Sequence, residues 1–157
     1  MKPVHASPLP SVCIFYAGTL LGFSFIATPA KFFSPGVAMS DLLLVGRTTF
    51  GVFVWVEAAL VVIVAALAYK SRAARLPVAI TAAIVAAQYL ALRPILDARV
   101  TAIIEGAPPE PSGLHHIYGV LELAKLGTLL WIARTTRDTP ASRQTRTQTG
   151  NCQCEGG

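Results

Sequence analysis

Charge is what this sequence has little of. Only 13% of its 157 residues are charged, against about 25% in ordinary soluble domains. Cysteine is nearly absent as well, with three in the chain, so neither a disulfide framework nor a thiolate-rich metal centre can organise the fold. Aromatic residues make up 8%, and no basic stripe is interleaved with them, which excludes a stacking platform for nucleic acid. There is no glycine-rich phosphate loop, no nucleophile set beside a base and no complete metal site. The sequence therefore gives no ground for an enzyme and predicts no cofactor.

Apolar side chains take the vacant share: 54% of residues are hydrophobic and the mean hydropathy is +0.57. A chain this short cannot hide so much apolar surface in one core. Four runs carry it, over 9–30, 50–69, 76–96 and 114–133. Each is close to the roughly 20 residues a helix needs to cross a bilayer. Lipid offers no hydrogen bonds to the backbone, so runs of this length must be helical. The predicted fold is all-α, a transmembrane bundle of four helices within residues 1–133, with the lipid bilayer as its first partner.

The breaks between runs agree. Ser34-Pro35-Gly36 reads as a turn, Lys70-Ser71-Arg72 as a short link, and Gly106-Ala107-Pro108-Pro109-Glu110-Pro111 as a loop that no helix can traverse. Ser112 is placed to cap the fourth helix, and Ser40, followed by Asp41, to cap an early start of the second. Residues 134–157, rich in Thr, Gln, Arg and Gly, read as a disordered basic tail. Its Cys152 and Cys154 supply only two thiols, and Cys13 reads as a packing residue.

Basic residues set the orientation. Lys2, Lys70, Arg72, Arg75, Arg134, Arg137, Arg143 and Arg146 fall on one side of the predicted spans. Lys31, Arg47, Arg93 and Arg99 fall on the other, offset by Asp41, Asp97, Glu105 and Glu110. The positive-inside rule places both termini in the cytoplasm, with Tyr69 and Trp131 in the inner aromatic belt. The first run is long for a signal peptide and is expected to be retained. Alanine-rich spans with arginine-biased loops suit a multi-pass protein of a bacterial inner membrane.

Ionisable residues inside such runs are costly and therefore informative. Glu57 lies ten positions after Arg47, about 15 Å along the helix. Glu122 and Lys125 lie about 10 and 15 Å from His115, and Gln88 about 12 Å from the outer end of its helix. His115, Tyr118, Glu122 and Lys125 share an arc of about 80° on the fourth helix. Glu57, Gln88, Tyr118, Glu122 and Lys125 are thus expected to meet in one buried polar cluster. Its two carboxylates outnumber its one ammonium, so the second carboxylate needs a proton, hydration or a bound cation. The cluster either handles a proton, ion or small solute, or only fixes the register of the helices in a structural or accessory subunit. Arg93 and Asp97 are spaced as an i, i+4 pair, with Pro94 as a possible kink.

Two further features need weighing. Gly18 and Gly22 form a G-x-x-x-G pattern that permits close helix approach, either within the bundle or at the seam of a homo-oligomer or membrane complex. His115 and His116 suggest metal or haem, but neighbouring helical positions point about 100° apart.

Ile26-Ala27-Thr28-Pro29-Ala30-Lys31-Phe32, then Pro94, Arg99 and Glu105, and His115 opening the fourth helix together resemble the small four-span membrane family related to transmembrane protein 205, over Val12 to Ala133. The family's fourth helix typically reads His, Ser, Asn at the positions held here by His115, Tyr118 and Glu122. The resemblance implies a four-span bundle without a settled biochemical activity. Similar folds among copper-resistance and haem-linked proteins keep haem or copper as the alternative cofactor.

Overall fold

A computed structural model describes residues 7–107 and 113–137. Among these, every regular element is helical. Three rods are long and apolar enough to cross a membrane: α1, Leu9–Phe33; α2, Met39–Ala68; and α3, Arg72–Ile104. The fourth, α4, is Leu114–Arg137. Its 24 residues reach about 36 Å, but His115, His116, Glu122, Lys125 and Arg134 make it less apolar than the other three.

Each rod buries one narrow stripe at three- and four-residue spacing. On α1 the stripe is Leu9, Cys13, Tyr16, Leu20; on α2 it is Phe53, Glu57, Leu60, Val64, Ala68; on α3 it is Ala74, Pro77, Thr81, Val85, Gln88. This spacing keeps side chains on one face of a helix. The other faces are also apolar and turn outward: Phe15, Trp55, Val62 and Leu90 are 65%, 77%, 66% and 81% exposed. A bundle bathed in water does not usually present apolar surface on that scale.

The helix α4 packs chiefly against α1 and α3, while α2 lies mainly against α3 and α1. One end of the bundle is filled by Leu9, Cys13, Leu20, Val64, Ala68, Ala74, Leu129 and Ile132. The other end, where α1 and α3 finish and α2 and α4 begin, is looser and holds a cavity.

Several boundaries differ from the sequence expectation. The second helix begins at Met39, with Ala38 extended before it and no side-chain cap; Ser40 lies inside the helix and does not cap it. The third extends to Ile104, well past the apolar run, because Arg93, Asp97 and Arg99 can stay helical while reaching the polar end. Arg134 and Arg137 continue α4, rather than opening the tail. The expected cap Ser112, Glu110, the tail over 138–157 and its Cys152 and Cys154 lie outside the described residues. Two glycines adopt left-handed backbone: Gly36 (φ +81°) in the turn between α1 and α2, and Gly106 (φ +96°) just after α3. At Gly106 the amides of Gly106 and Ala107 return to the Ile103 and Ala102 carbonyls at 3.1 and 2.9 Å, the Schellman arrangement that needs a left-handed residue after the helix.

Candidate functional site

The polar stripe of α4 points into the bundle. Glu122 is 1% exposed and Lys125 0%, so both are removed from solvent and need partners. The Lys125 ammonium bonds Glu57 Oε1 and lies 2.9 Å from Glu122 Oε1. Around this triad the neutral side chains donate. Tyr16 Oη donates to Glu57 Oε1 at 2.9 Å, Gln88 Nε2 to Glu122 Oε1 at 3.0 Å and Ser24 Oγ to Glu122 Oε2 at 3.3 Å. All four helices therefore contribute to one network. Next to it, the Thr81 and Thr128 hydroxyls meet at 2.7 Å, and Thr128 also reaches the Lys125 carbonyl at 2.8 Å, so a hydroxyl pair joins α3 to α4 one turn from the ammonium.

Two prolines shape this arrangement. A proline inside a helix lacks an N–H and its ring crowds the carbonyl four residues back. Before Pro29 and before Pro94 the backbone widens into π turns, over Leu21–Ala27 and Gln88–Leu92. The Thr28 amide bonds the Phe23 carbonyl, and the Arg93 amide the Gln88 carbonyl, each five residues back. A π turn inserts one residue and so rotates the side chains before it relative to those after it. Ser24 and Gln88, the donors to Glu122 from α1 and α3, both sit in these widened turns.

The cavity at the looser end measures about 240 Å³. Gln88, Tyr89 and Tyr118 lie on its wall toward the cluster; Lys31, Arg47, Arg93, Asp97, Arg99 and His115 also line it. Asp97 forms ion pairs with Arg93 at 3.4 Å and with Arg47 at 3.8 Å, and Arg47 also donates to Thr101 at 3.0 Å. Lys31 lies across Gly46, where a Cβ would collide with its ammonium. Phe23 stacks on Phe53 at 4.0 Å and meets Phe50 edge-on at 5.2 Å; Phe50 in turn meets Tyr118 at 5.9 Å. This vestibule reaches the ion cluster through Gln88. The amide is oriented by the carboxylate: reversed, its oxygen would face Glu122 Oε1. In the observed orientation Gln88 Oε1 is buried without a hydrogen-bond partner, as is the Tyr89 hydroxyl. Each such orphan costs about 1–3 kcal/mol unless something at the site satisfies it.

Of the residues expected to cluster, Glu57, Gln88, Glu122 and Lys125 are in direct contact. Tyr118 is half-buried on the Glu122 side and forms part of the vestibule wall. His115 and His116 are both exposed, and only His115 lines the vestibule. No group of three or more His, Cys, Asp or Glu side chains suited to a metal gathers among the described residues. Gly18 and Gly22 do not mediate a close approach within the bundle: a Cβ at either would meet nothing within 4 Å. The reason is phase, since α1 meets its neighbours through the stripe containing Tyr16 and Leu20, and Gly18 lies on the outward face.

Tyr16, Ser24, Thr81, Thr128 and Lys31 belong to the site although their sequence context did not single them out. Tyr16 was detectable from its place on the Cys13–Leu20 stripe. Ser24 was not, because its direction depends on the π turn.

No family model, curated protein or solved structure matches the chain.

Proposed function

We propose that the protein is an integral membrane protein of four spans, with both termini in the cytoplasm, whose buried Glu57–Lys125–Glu122 cluster exchanges a proton with the vestibule. Three apolar rods with apolar outward faces support membrane residence. The fourth span rests on α4, whose Glu122 and Lys125 are enclosed by the other three helices. Orientation rests on the basic excess around Lys70, Arg72 and Arg75 and after Ala133, and a bacterial inner membrane on the alanine-rich composition.

One observation carries the reading: a single ammonium serves two carboxylates, and one of these is bonded to an amide that also lines an open cavity. The cluster's formal charge is −1 when both carboxylates are ionised and zero when one proton is held. Gln88, bonded to Glu122 and lining the vestibule, places the cluster one side chain away from it. A buried ionisable group inside a membrane bundle is the usual mark of such a relay.

The competing reading is mechanical. The backbones of α2 and α4 do not pack closely, so the Lys125–Glu57 pair serves as a strut between them. Infrared difference spectra of the full chain in lipid, taken across a pH series, separate the two. A protonated-carboxyl band that titrates and disappears in Glu57→Gln or Glu122→Gln supports proton exchange. A band-free, pH-independent spectrum of folded protein leaves the strut.

A further inference from the structure

The vestibule carries a charge pattern that the ion cluster does not require. Lys31, Arg47 and Arg93 line it, and Asp97 is the one carboxylate among the described lining residues. Asp97 is already ion-paired with both guanidiniums, so the cationic groups on this wall outnumber its carboxylate. Lys31 reaches in from the end of α1, and Gly46 leaves room for its ammonium. Guanidinium forks and an ammonium around a cavity are the donors that recognise carboxylate and phosphate oxygens.

Deeper in, the demand has the opposite sense. Gln88 is 2% exposed, its amide nitrogen is committed to Glu122, and its buried carbonyl oxygen has no partner. A carbonyl oxygen only accepts, so it calls for a hydroxyl or amine. The Tyr89 hydroxyl, on a residue that also lines the cavity, is likewise buried and without a partner. Phe50 and Tyr118 supply apolar wall between these two ends.

We infer that the vestibule is a binding site for a small oxyanion that carries a neighbouring hydroxyl: a carboxylate or phosphate held by Lys31, Arg47 and Arg93, with its hydroxyl donating to Gln88 Oε1. That chemistry is shared by free hydroxy acids and sugar-alcohol phosphates and by the glycerophosphate headgroup of an anionic lipid. Both sources present the anion at the mouth and the donor inward. The vestibule's ligand is separable from the cluster's proton, since the first is read on Lys31 variants and the second on the glutamates.

The test is titration calorimetry of the full chain in phosphatidylcholine nanodiscs, with lactate, glycerol 3-phosphate and propionate as probes. Saturable binding of lactate or glycerol 3-phosphate is expected, with propionate, which lacks the hydroxyl, about tenfold weaker or more. That is the scale of one lost hydrogen bond to a buried acceptor. Lys31→Gln should weaken binding by a similar factor. Arg93 also pairs with Asp97, so Gly46→Ala, which displaces the Lys31 ammonium and leaves that ion pair intact, provides an independent variant with the same expected loss. Lys70→Gln, at the opposite end of the bundle, should bind as the parent does. Repeating the titration with phosphatidylglycerol in the nanodisc distinguishes the sources: suppressed solute binding assigns the site to a lipid headgroup, and unchanged binding assigns it to a free solute. Folded protein that binds none of the probes in phosphatidylcholine overturns the site. So does binding unaffected by both Lys31→Gln and Gly46→Ala, and equal affinity for lactate and propionate removes Gln88 from it.

Discussion

Lys125 of α4 and Glu57 of α2 are joined through a buried ion pair across helices whose backbones stay apart. A long side chain, rather than close helix packing, makes the connection. The same ammonium lies 2.9 Å from Glu122 on its own helix. Neither carboxylate can lose it without becoming a buried anion that relies on neutral donors alone.

Lys125→Met should therefore be more damaging alone than together with Glu122→Gln. Truncating one side of a buried pair typically costs about 3–5 kcal/mol, because the partner charge remains buried. Neutralising one carboxylate in the same chain should recover part of this loss. A double-mutant cycle on thermal unfolding in detergent measures the coupling, and a value of zero for both Glu57 and Glu122 would mean the triad contributes nothing as a unit.

Pro94→Ala should close the π turn over Gln88–Leu92. With the ring gone, the ordinary helical bond can form again, and Gln88 rotates by roughly 100° relative to the residues beyond it. The Gln88–Glu122 hydrogen bond, of the class worth about 1.5–3 kcal/mol when one partner is charged, should then be lost. The cycle Gln88→Ala with Glu122→Gln should show coupling in the parent chain and none in the Pro94→Ala background.

Gly18→Leu should leave the folded monomer's stability within about 0.5 kcal/mol, as expected of a substitution that meets no neighbour. If Gly18 and Gly22 form the seam of a homo-oligomer, the same substitution shifts the sedimenting species to monomer without changing the monomer's melting temperature. A large drop in monomer stability would mean that α1 is turned differently from the arrangement described.

Cysteine introduced at Glu110 should react with a membrane-impermeant thiol reagent in intact cells, and cysteine at Arg72 should react only after permeabilisation. The reverse pattern would invert the proposed topology.

The helical class and the buried charges were legible because both follow from one cost, that of placing polar groups in lipid. Glu57, Gln88, Glu122 and Lys125 stand out in apolar runs, and constant rise per residue gives their depth. Their azimuth was readable on α4, which is regular throughout. It was not readable on α1 and α3, where Pro29 and Pro94 insert a residue's worth of rotation that a 3.6-residue period cannot anticipate. Ser24 was missed for this reason. Gly18 was misjudged within the bundle because a glycine pair states that approach is permitted, while only the phase of Tyr16 and Leu20 states which face approaches. The vestibule was hidden because Lys31, Arg47 and Arg93 each read locally as basic residues on one side of the spans. Their convergence needs three helix ends at once.

The packing of the two ends is unequal, and that has a directional consequence. Leu9, Leu20, Val64, Leu129 and Ile132 fill one end, while Lys31, Arg47 and Arg93 line a cavity at the other. Gln88, on the wall of that cavity, is the side chain that links it to the buried triad. On the proposed reading, exchange with solution would run through this side. The proton occupancy proposed for the triad would then follow the acidity on the cavity's side of the bundle. The widened turn preceding Pro94 supplies Gln88 and Tyr89 to the cavity wall, so a change in that turn would alter the link between cavity and triad first.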